Sequence, residues 1–127
     1  MTPTDRKYTQ EHEWVKPGAG MVTLGVTQYA QEQLTDIVFV ELPDIGRRVK
    51  AGESIAVVES VKSVSDVYAP VTGEVVSVNE ELIAHPEKVN ESPYEEGWIV
   101  QIKAPSVDLS RLLDAAAYDA FVASKKS

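Results

Sequence analysis

The stretch VVESVKSVSDVY, residues 57–68, decides how the middle of the chain folds. Valine-rich runs at Ser54–Glu59 and Val64–Ala69 favour β-strands, and the residues Ser60–Ser63 between them leave room only for a tight turn. The pattern therefore predicts a β-hairpin with Lys62 at its tip. A modifying ligase requires an accessible amine at a fixed place on a rigid scaffold. An ordinary solvated turn lysine would show the same pattern, so both interpretations stand at this point.

Short β-rich runs separated by turn residues recur along the rest of the chain and predict a mainly β protein. Thr27 is a suitable N-cap for a short helix that follows it directly. Residues 80–97 are polar and contain two prolines, so we expect irregular structure there. Apolar residues at helical spacing predict two short helices within about residues 106–123, with Ser106 and Asp114 as N-caps. Further strands are expected at His12–Lys16, Met21–Val26, Ile37–Leu42, Glu74–Asn79 and Trp98–Lys103.

The composition fits one globular domain over residues 1–127, with 43% hydrophobic residues and a net charge of −8. The negative charge lies in residues 51–100, where ten acidic side chains face two basic ones. An acidic surface repels phosphates, so we expect no nucleic-acid partner. The same surface favours docking to proteins with basic patches, although acidic groups also serve solubility alone.

Cysteine is absent, which removes disulfides, thiolate metal sites and thiol nucleophiles from consideration. The two histidines, His12 and His85, have no ligand partner at zinc-like spacing, so we expect no metal site. No apolar run reaches the roughly 18 residues that a membrane-spanning helix needs. The opening residues MTPTDRKYTQ lack the apolar segment of a signal peptide, and we therefore expect a cytoplasmic protein.

Residues 57–68 resemble the lipoylation site of the glycine cleavage system H protein family. Four other segments also resemble that family and follow its order and spacing from about residue 7 to residue 121. They are YTQEHEWV at 8–15, GVTQYAQ at 25–31, DIVFVELP at 36–43 and NESPYEEGW at 90–98.

The resemblance implies a flattened β-barrel, or barrel-sandwich hybrid, of the lipoyl/biotinyl carrier type. It implies a carrier that is not itself an enzyme, with lipoate in amide linkage on Lys62. In that family the arm takes an aminomethyl group from a pyridoxal-phosphate-dependent glycine decarboxylase and delivers it to a tetrahydrofolate-dependent aminomethyltransferase. Dihydrolipoamide dehydrogenase then reoxidises the arm. A lipoate ligase or lipoyl transferase is the fourth implied partner, and the redox-active sulfurs belong to the cofactor.

By the same resemblance, Glu13 and Asp66 are candidates to hold the amine when the arm is parked against the protein. Glu59, three residues before Lys62, is a candidate for recognition by the ligase. Some relatives carry a histidine near the arm where this chain has Gln33. Glu13 and Asp66 could each also be an ordinary solvated carboxylate.

Other interpretations remain open from the sequence. A biotin carrier usually shows Met-Lys-Met, whereas Val61 and Ser63 flank the lysine here. Lipoyl domains of 2-oxoacid dehydrogenases usually show Asp-Lys-Ala and continue into long linkers, which this chain lacks. A third possibility is a relay protein that passes lipoate on to other enzymes. A hydrolase is the remotest alternative.

Overall fold

The computed structural model describes residues 2–104 and 109–126. These residues form nine strands and four helices. The strands are β1 (Lys7–Tyr8), β2 (Glu13–Gly18), β3 (Met21–Val26), β4 (Ile37–Glu41), β5 (Arg48–Val49), β6 (Ser54–Ser60), β7 (Val64–Tyr68), β8 (Gly73–Val78) and β9 (Val100–Lys103). The helices are α1 (Gln28–Leu34), α2 (Glu81–Ala84), α3 (Lys88–Glu91) and α4 (Ala115–Lys126). Within these described ranges, no helix is both long and apolar enough to cross a bilayer.

The strands form two antiparallel sheets. Six strands pair in the order β1-β2-β3-β9-β8-β5, and three pair in the order β4-β6-β7. Valine, leucine and isoleucine side chains of both sheets belong to one buried cluster, which includes Val22 and Ile102 from the first sheet and Val40 and Val58 from the second. The expected mainly β fold with a short early helix and a helical C-terminus is confirmed. The two sheets are not closed into a barrel among the described residues.

Local sequence signals account for most of these elements. Thr27 caps α1, and its side-chain oxygen accepts a hydrogen bond from the backbone amide of Ala30 at 3.2 Å. In β3, Val22 and Leu24 alternate with less buried neighbours and turn toward the core. Asp114 precedes α4, and its carboxylate accepts from the backbone amide of Ala117 at 2.8 Å.

Two expectations about the second half of the chain were wrong in detail. Residues 80–97 are not wholly irregular, because they contain the one-turn helices α2 and α3. The two helices expected within about 106–123 are replaced by one helix that starts at Ala115, and Ser106 lies outside the described residues. The backbone of Leu113 exchanges two hydrogen bonds with Tyr8, at 2.7 and 2.8 Å. Those groups are therefore not available to an earlier helix.

Gly25 provides the space in which the Trp14 indole lies across β3. The two residues face each other between β2 and β3, and a Cβ atom at Gly25 would lie 2.8 Å from the indole ring. The ring cannot easily move, because it is buried and its Nε1 donates to the Pro93 carbonyl at 2.8 Å. We expect Gly25→Ala to lower the free energy of unfolding by about 1–3 kcal/mol, measured by urea denaturation.

Gly18→Ala is the matched control for this substitution. Gly18 lies in β2, the strand paired with that of Gly25, but its added Cβ would meet no heavy atom within 4 Å. We expect a change within about 0.5 kcal/mol for the control. Equal losses in the two variants would show that general strand effects of alanine, and not the Trp14 contact, determine the result.

Candidate functional site

Lys62 lies at the exposed tip of the hairpin formed by β6 and β7, as the sequence predicts. The backbone amide of Ser60 donates to the Ser63 carbonyl at 2.8 Å and closes the turn. The Ser60 hydroxyl accepts from the amides of Lys62 at 3.3 Å and Ser63 at 3.0 Å, and it donates to the Ser63 carbonyl at 3.1 Å. A buried side chain thus fixes the turn from below while the lysine points away from the core.

Ser60 was not among the site residues predicted from the sequence, although it fixes the turn that carries Lys62. A serine at the first position of a four-residue turn commonly bonds the backbone amides two and three residues ahead. Ser60 is the first residue of the four-residue segment Ser60–Ser63. Its hydroxyl accepts from the backbone amides two and three residues ahead, those of Lys62 and Ser63. The rigidity of the tip therefore has a local cause that can be read from four residues.

A second contact ties the hairpin tip to another element. The backbone amide of Val61 donates to the carbonyl of Asp36 at 3.1 Å. Asp36 lies in the short connection between α1 and β4, so this bond links the residue beside Lys62 to the end of a helix. The tip is therefore held from outside the hairpin as well as from within it.

Four apolar side chains are exposed around the tip, and we call them the apolar patch. They are Val38 (51% exposed), Phe39 (48%), Val61 (68%) and Val64 (63%). Phe39, Glu59 and Val64 form one row across β4, β6 and β7, so their side chains share the outer face of the small sheet. A register shift between Ile37 and Phe39 exposes two consecutive residues of β4. Such bulges re-aim side chains next to functional sites.

The next row of the same face is acidic at both edges. Glu41, Val57 and Asp66 lie opposite one another, two residues from the row that contains Glu59. Asp66 is exposed, and its Oδ1 accepts a hydrogen bond from the Ser54 hydroxyl at 2.8 Å. The outer face of the small sheet therefore combines apolar contacts near Lys62 with carboxylates behind them.

Glu13 reaches this hairpin from the other sheet and is only 2% exposed. Its Oε2 accepts from the backbone amide of Tyr68, the last residue of β7, at 2.6 Å. Its Oε1 accepts from the Thr9 hydroxyl at 3.0 Å. Burial raises the pKa of Glu13 from 4.5 to about 7, although the hydrogen bonds from Tyr68 and Thr9 favour the carboxylate. The structure thus places a buried, easily protonated carboxyl group at the far end of β7.

The candidate residues are brought together around one hairpin. Lys62, Glu59 and Asp66 belong to it, and Glu13 bonds its last residue. Gln33 is exposed on α1. Among residues 2–104 and 109–126, no group of three His, Asp or Glu side chains could hold a metal ion.

Comparisons with known proteins agree with this geometry. A family model described as Glycine cleavage H-protein matches residues 6–125. The chain belongs to the glycine cleavage H-protein family. The glycine cleavage system H protein of Deinococcus radiodurans is 56% identical over 119 residues, which cover 94% of this chain and 95% of that protein. The protein of the same name from Serratia proteamaculans is 55% identical over 122 residues, 94% of this chain and 95% of that one.

A solved structure extends the likeness to the fold. The crystal structure of a glycine cleavage system H protein from Mycobacterium marinum is similar with a TM-score of 0.84 at 40% identity. The match covers 98% of this chain and 99% of that one. Membership in the glycine cleavage H-protein family confirms the role that the resemblance implied, that of a lipoyl carrier in the glycine cleavage system.

Proposed function

We propose that Lys62 bears lipoate in amide linkage on Nζ and that the chain acts as a carrier without catalytic activity of its own. The exposed position of Lys62 on a turn fixed by Ser60 is the observation that supports this most strongly. An amine at such a tip fits an acyl group because nothing in the turn has to move to accept it. Lipoate, when attached, supplies a disulfide that can carry a substrate fragment and two electrons.

The partners we propose are glycine decarboxylase, aminomethyltransferase, dihydrolipoamide dehydrogenase and a lipoate ligase or lipoyl transferase. A tethered group can visit several active sites at high effective concentration, which is the advantage of a carrier. We further propose that residues 1–127 act as one carrier domain and that it works in the cytoplasm. These proposals rest on family membership and on the placement of Lys62.

Asp66 and Glu13 differ in how they could hold an ammonium group brought by the arm. A lysine extended by lipoate reaches roughly 14 Å from its Cα atom at ordinary bond lengths. With a strand rise of about 3.4 Å per residue, Asp66 lies within that length of Lys62 along β7. Tyr68, where Glu13 is bound, lies about 20 Å along the strand. We propose that exposed Asp66 holds the ammonium group, because buried Glu13, bonded to the Tyr68 amide, lies beyond that reach.

Intact mass with peptide mapping tests the attachment directly. The protein is produced with an active lipoate ligase and lipoate, and we expect an addition of ~190 Da on the peptide that contains Lys62. An addition of ~225 Da would indicate biotin and a carrier of a different complex. An unmodified protein from cells in which the ligase is shown to be active would contradict the carrier proposal.

We propose that the lipoate-attaching enzyme docks on the apolar patch. That enzyme must recognise Lys62 before any arm is present, and the exposed apolar groups next to the lysine are Val38, Phe39, Val61 and Val64. The carboxylates of Glu41, Glu59 and Asp66 lie on the same face. A complementary enzyme surface would have basic side chains around an apolar centre. Glu59 would thus contribute to recognition as part of this face.

Removing the Phe39 ring tests the docking proposal. We expect Phe39→Ser to lower kcat/KM for attachment about tenfold, because an apolar anchor at an interface contributes one to two kcal/mol. Ile45→Ser is the matched control: Ile45 is 62% exposed but lies beyond the opposite end of β4. Equal attachment rates for the two variants would show that the ring is not a docking contact.

A further inference from the structure

Thr35 adopts a backbone conformation that β-branched residues rarely occupy. It ends α1 with φ 65° and ψ −147°, a region that is used almost entirely by glycine. No glycine is present at this helix end to adopt the conformation without strain. A strained residue of this kind persists only where surrounding contacts determine its geometry, and such residues cluster at functional sites.

The contacts come from Asn90 in α3, more than fifty residues away along the chain. Its Nδ2 donates to the Thr35 carbonyl at 2.8 Å and to Gln31 Oε1 at 2.9 Å. Its Oδ1 accepts from the backbone amide of Ile37 at 2.9 Å. One side-chain amide therefore bonds the residues on both sides of Asp36.

Asp36 is the residue whose carbonyl accepts the Val61 amide beside Lys62. Ile37, which Asn90 also binds, lies opposite Ser60, the residue whose hydroxyl fixes the turn. A continuous path of short contacts therefore runs from Asn90 through the Thr35–Ile37 segment to the hairpin tip. None of the bonds in this path involves the Lys62 side chain.

We infer that Asn90 is a positioning residue for modification of Lys62. By holding the strained Thr35–Ile37 segment, it fixes the Asp36 carbonyl that anchors the amide of Val61. The anchored tip presents the Lys62 backbone to an acylating enzyme in one orientation, which reduces the ordering that must occur on binding. The part of this inference that concerns acylation rests on the proposed lipoylation of Lys62.

Hydrogen exchange tests the structural part independently of any modification. We expect the Val61 amide to exchange at least about tenfold faster in Asn90→Ala, because its acceptor is no longer held in place. Asn79→Ala is the matched control. Asn79 is a buried asparagine whose Nδ2 likewise makes two donations, to the carbonyls of Glu96 and Trp98, both at 2.8 Å. Equal exchange rates at Val61 in the two variants would overturn the inference.

The attachment reaction tests the functional part. Relative to wild type, we expect Asn90→Ala to lower kcat/KM for lipoylation about tenfold, whereas Asn79→Ala with a similar loss of thermal stability lowers it little. If Asn90→Ala does not fold, Asn90→Asp keeps the shape and the acceptor for Ile37 but loses both donations. Equal slowing by the Asn90 and Asn79 variants would assign the effect to stability and contradict a positioning role.

A second substitution provides the rescue. Thr35→Gly should restore part of the Val61 protection and of the attachment rate in the Asn90→Ala background, since glycine occupies this conformation without strain. Absence of any rescue, together with unchanged Val61 exchange in the single variant, would overturn the inference. Wild-type protein that is never modified would instead contradict the proposed function and leave the exchange result to decide the role of Asn90.

Discussion

Replacing Lys62 by alanine or by arginine is expected to abolish attachment of lipoate, and with it aminomethyl transfer between the partner enzymes. Arginine keeps the positive charge, but its guanidinium is not acylated as an amine is. The free energy of unfolding should change by no more than about 0.5 kcal/mol, because Lys62 is an exposed turn residue. Intact mass, glycine cleavage with added partner enzymes, and urea denaturation measure the three expected results.

Lys50→Arg is the matched control for this prediction. Lys50 is also an exposed lysine in a turn, between β5 and β6, and its backbone amide is held by the Glu53 carboxylate at 3.0 Å. The control protein should be modified completely and transfer aminomethyl groups like wild type. Modification of Lys62→Ala at a different lysine, or a large loss of stability in that variant, would contradict the assigned role of Lys62.

The hairpin that carries Lys62 could be predicted because every signal in it is local. Valine-rich runs define β6 and β7, and the three residues between these strands leave little choice of connection. The same holds for α1, where Thr27 and the following helix formers define the start. Ser60 belongs to this class too, since the turn signal lies within the segment Ser60–Ser63.

The parts that could not be predicted depend on contacts between distant residues. Asn90 bonds the end of α1 across more than fifty residues, and its position in a polar segment gives no hint of that contact. Leu113 has helical spacing with its neighbours, yet its backbone pairs with Tyr8 instead. At Leu113 the tertiary hydrogen bonds outweigh the local helix propensity.

Glu13 shows the same limit in the candidate site itself. Glu13 is the first residue of β2 and is followed by the apolar Trp14 and Val15. A charged residue in a strand normally faces water. Here its carboxyl group lies inside, where it accepts hydrogen bonds from the backbone amide of Tyr68 at the end of β7 and from the hydroxyl of Thr9. Only the relative placement of the two sheets reveals that this carboxyl group is buried.

Glu13→Gln is expected to stabilise the protein at alkaline pH and to have little effect at acidic pH. The pKa of Glu13 is raised from 4.5 to about 7 by burial, so the folded protein holds a proton that the unfolded chain releases between these values. Stability from this group is therefore complete below pH 4.5 and falls as the pH rises toward 7. Glutamine can still accept from the Tyr68 amide and carries no charge, so we expect a gain that grows with pH and is at most ~3 kcal/mol at pH 8.

Urea denaturation of both proteins between pH 4.5 and 8 measures this difference, and other titrating groups cancel in the comparison. Glu53→Gln is a control of opposite sign. The backbone amide of Lys50, followed by the Arg47 guanidinium, lowers the pKa of Glu53, so its replacement should remove stability above the usual pKa of a glutamate. A constant stability difference between wild type and Glu13→Gln across this range would show that Glu13 titrates normally.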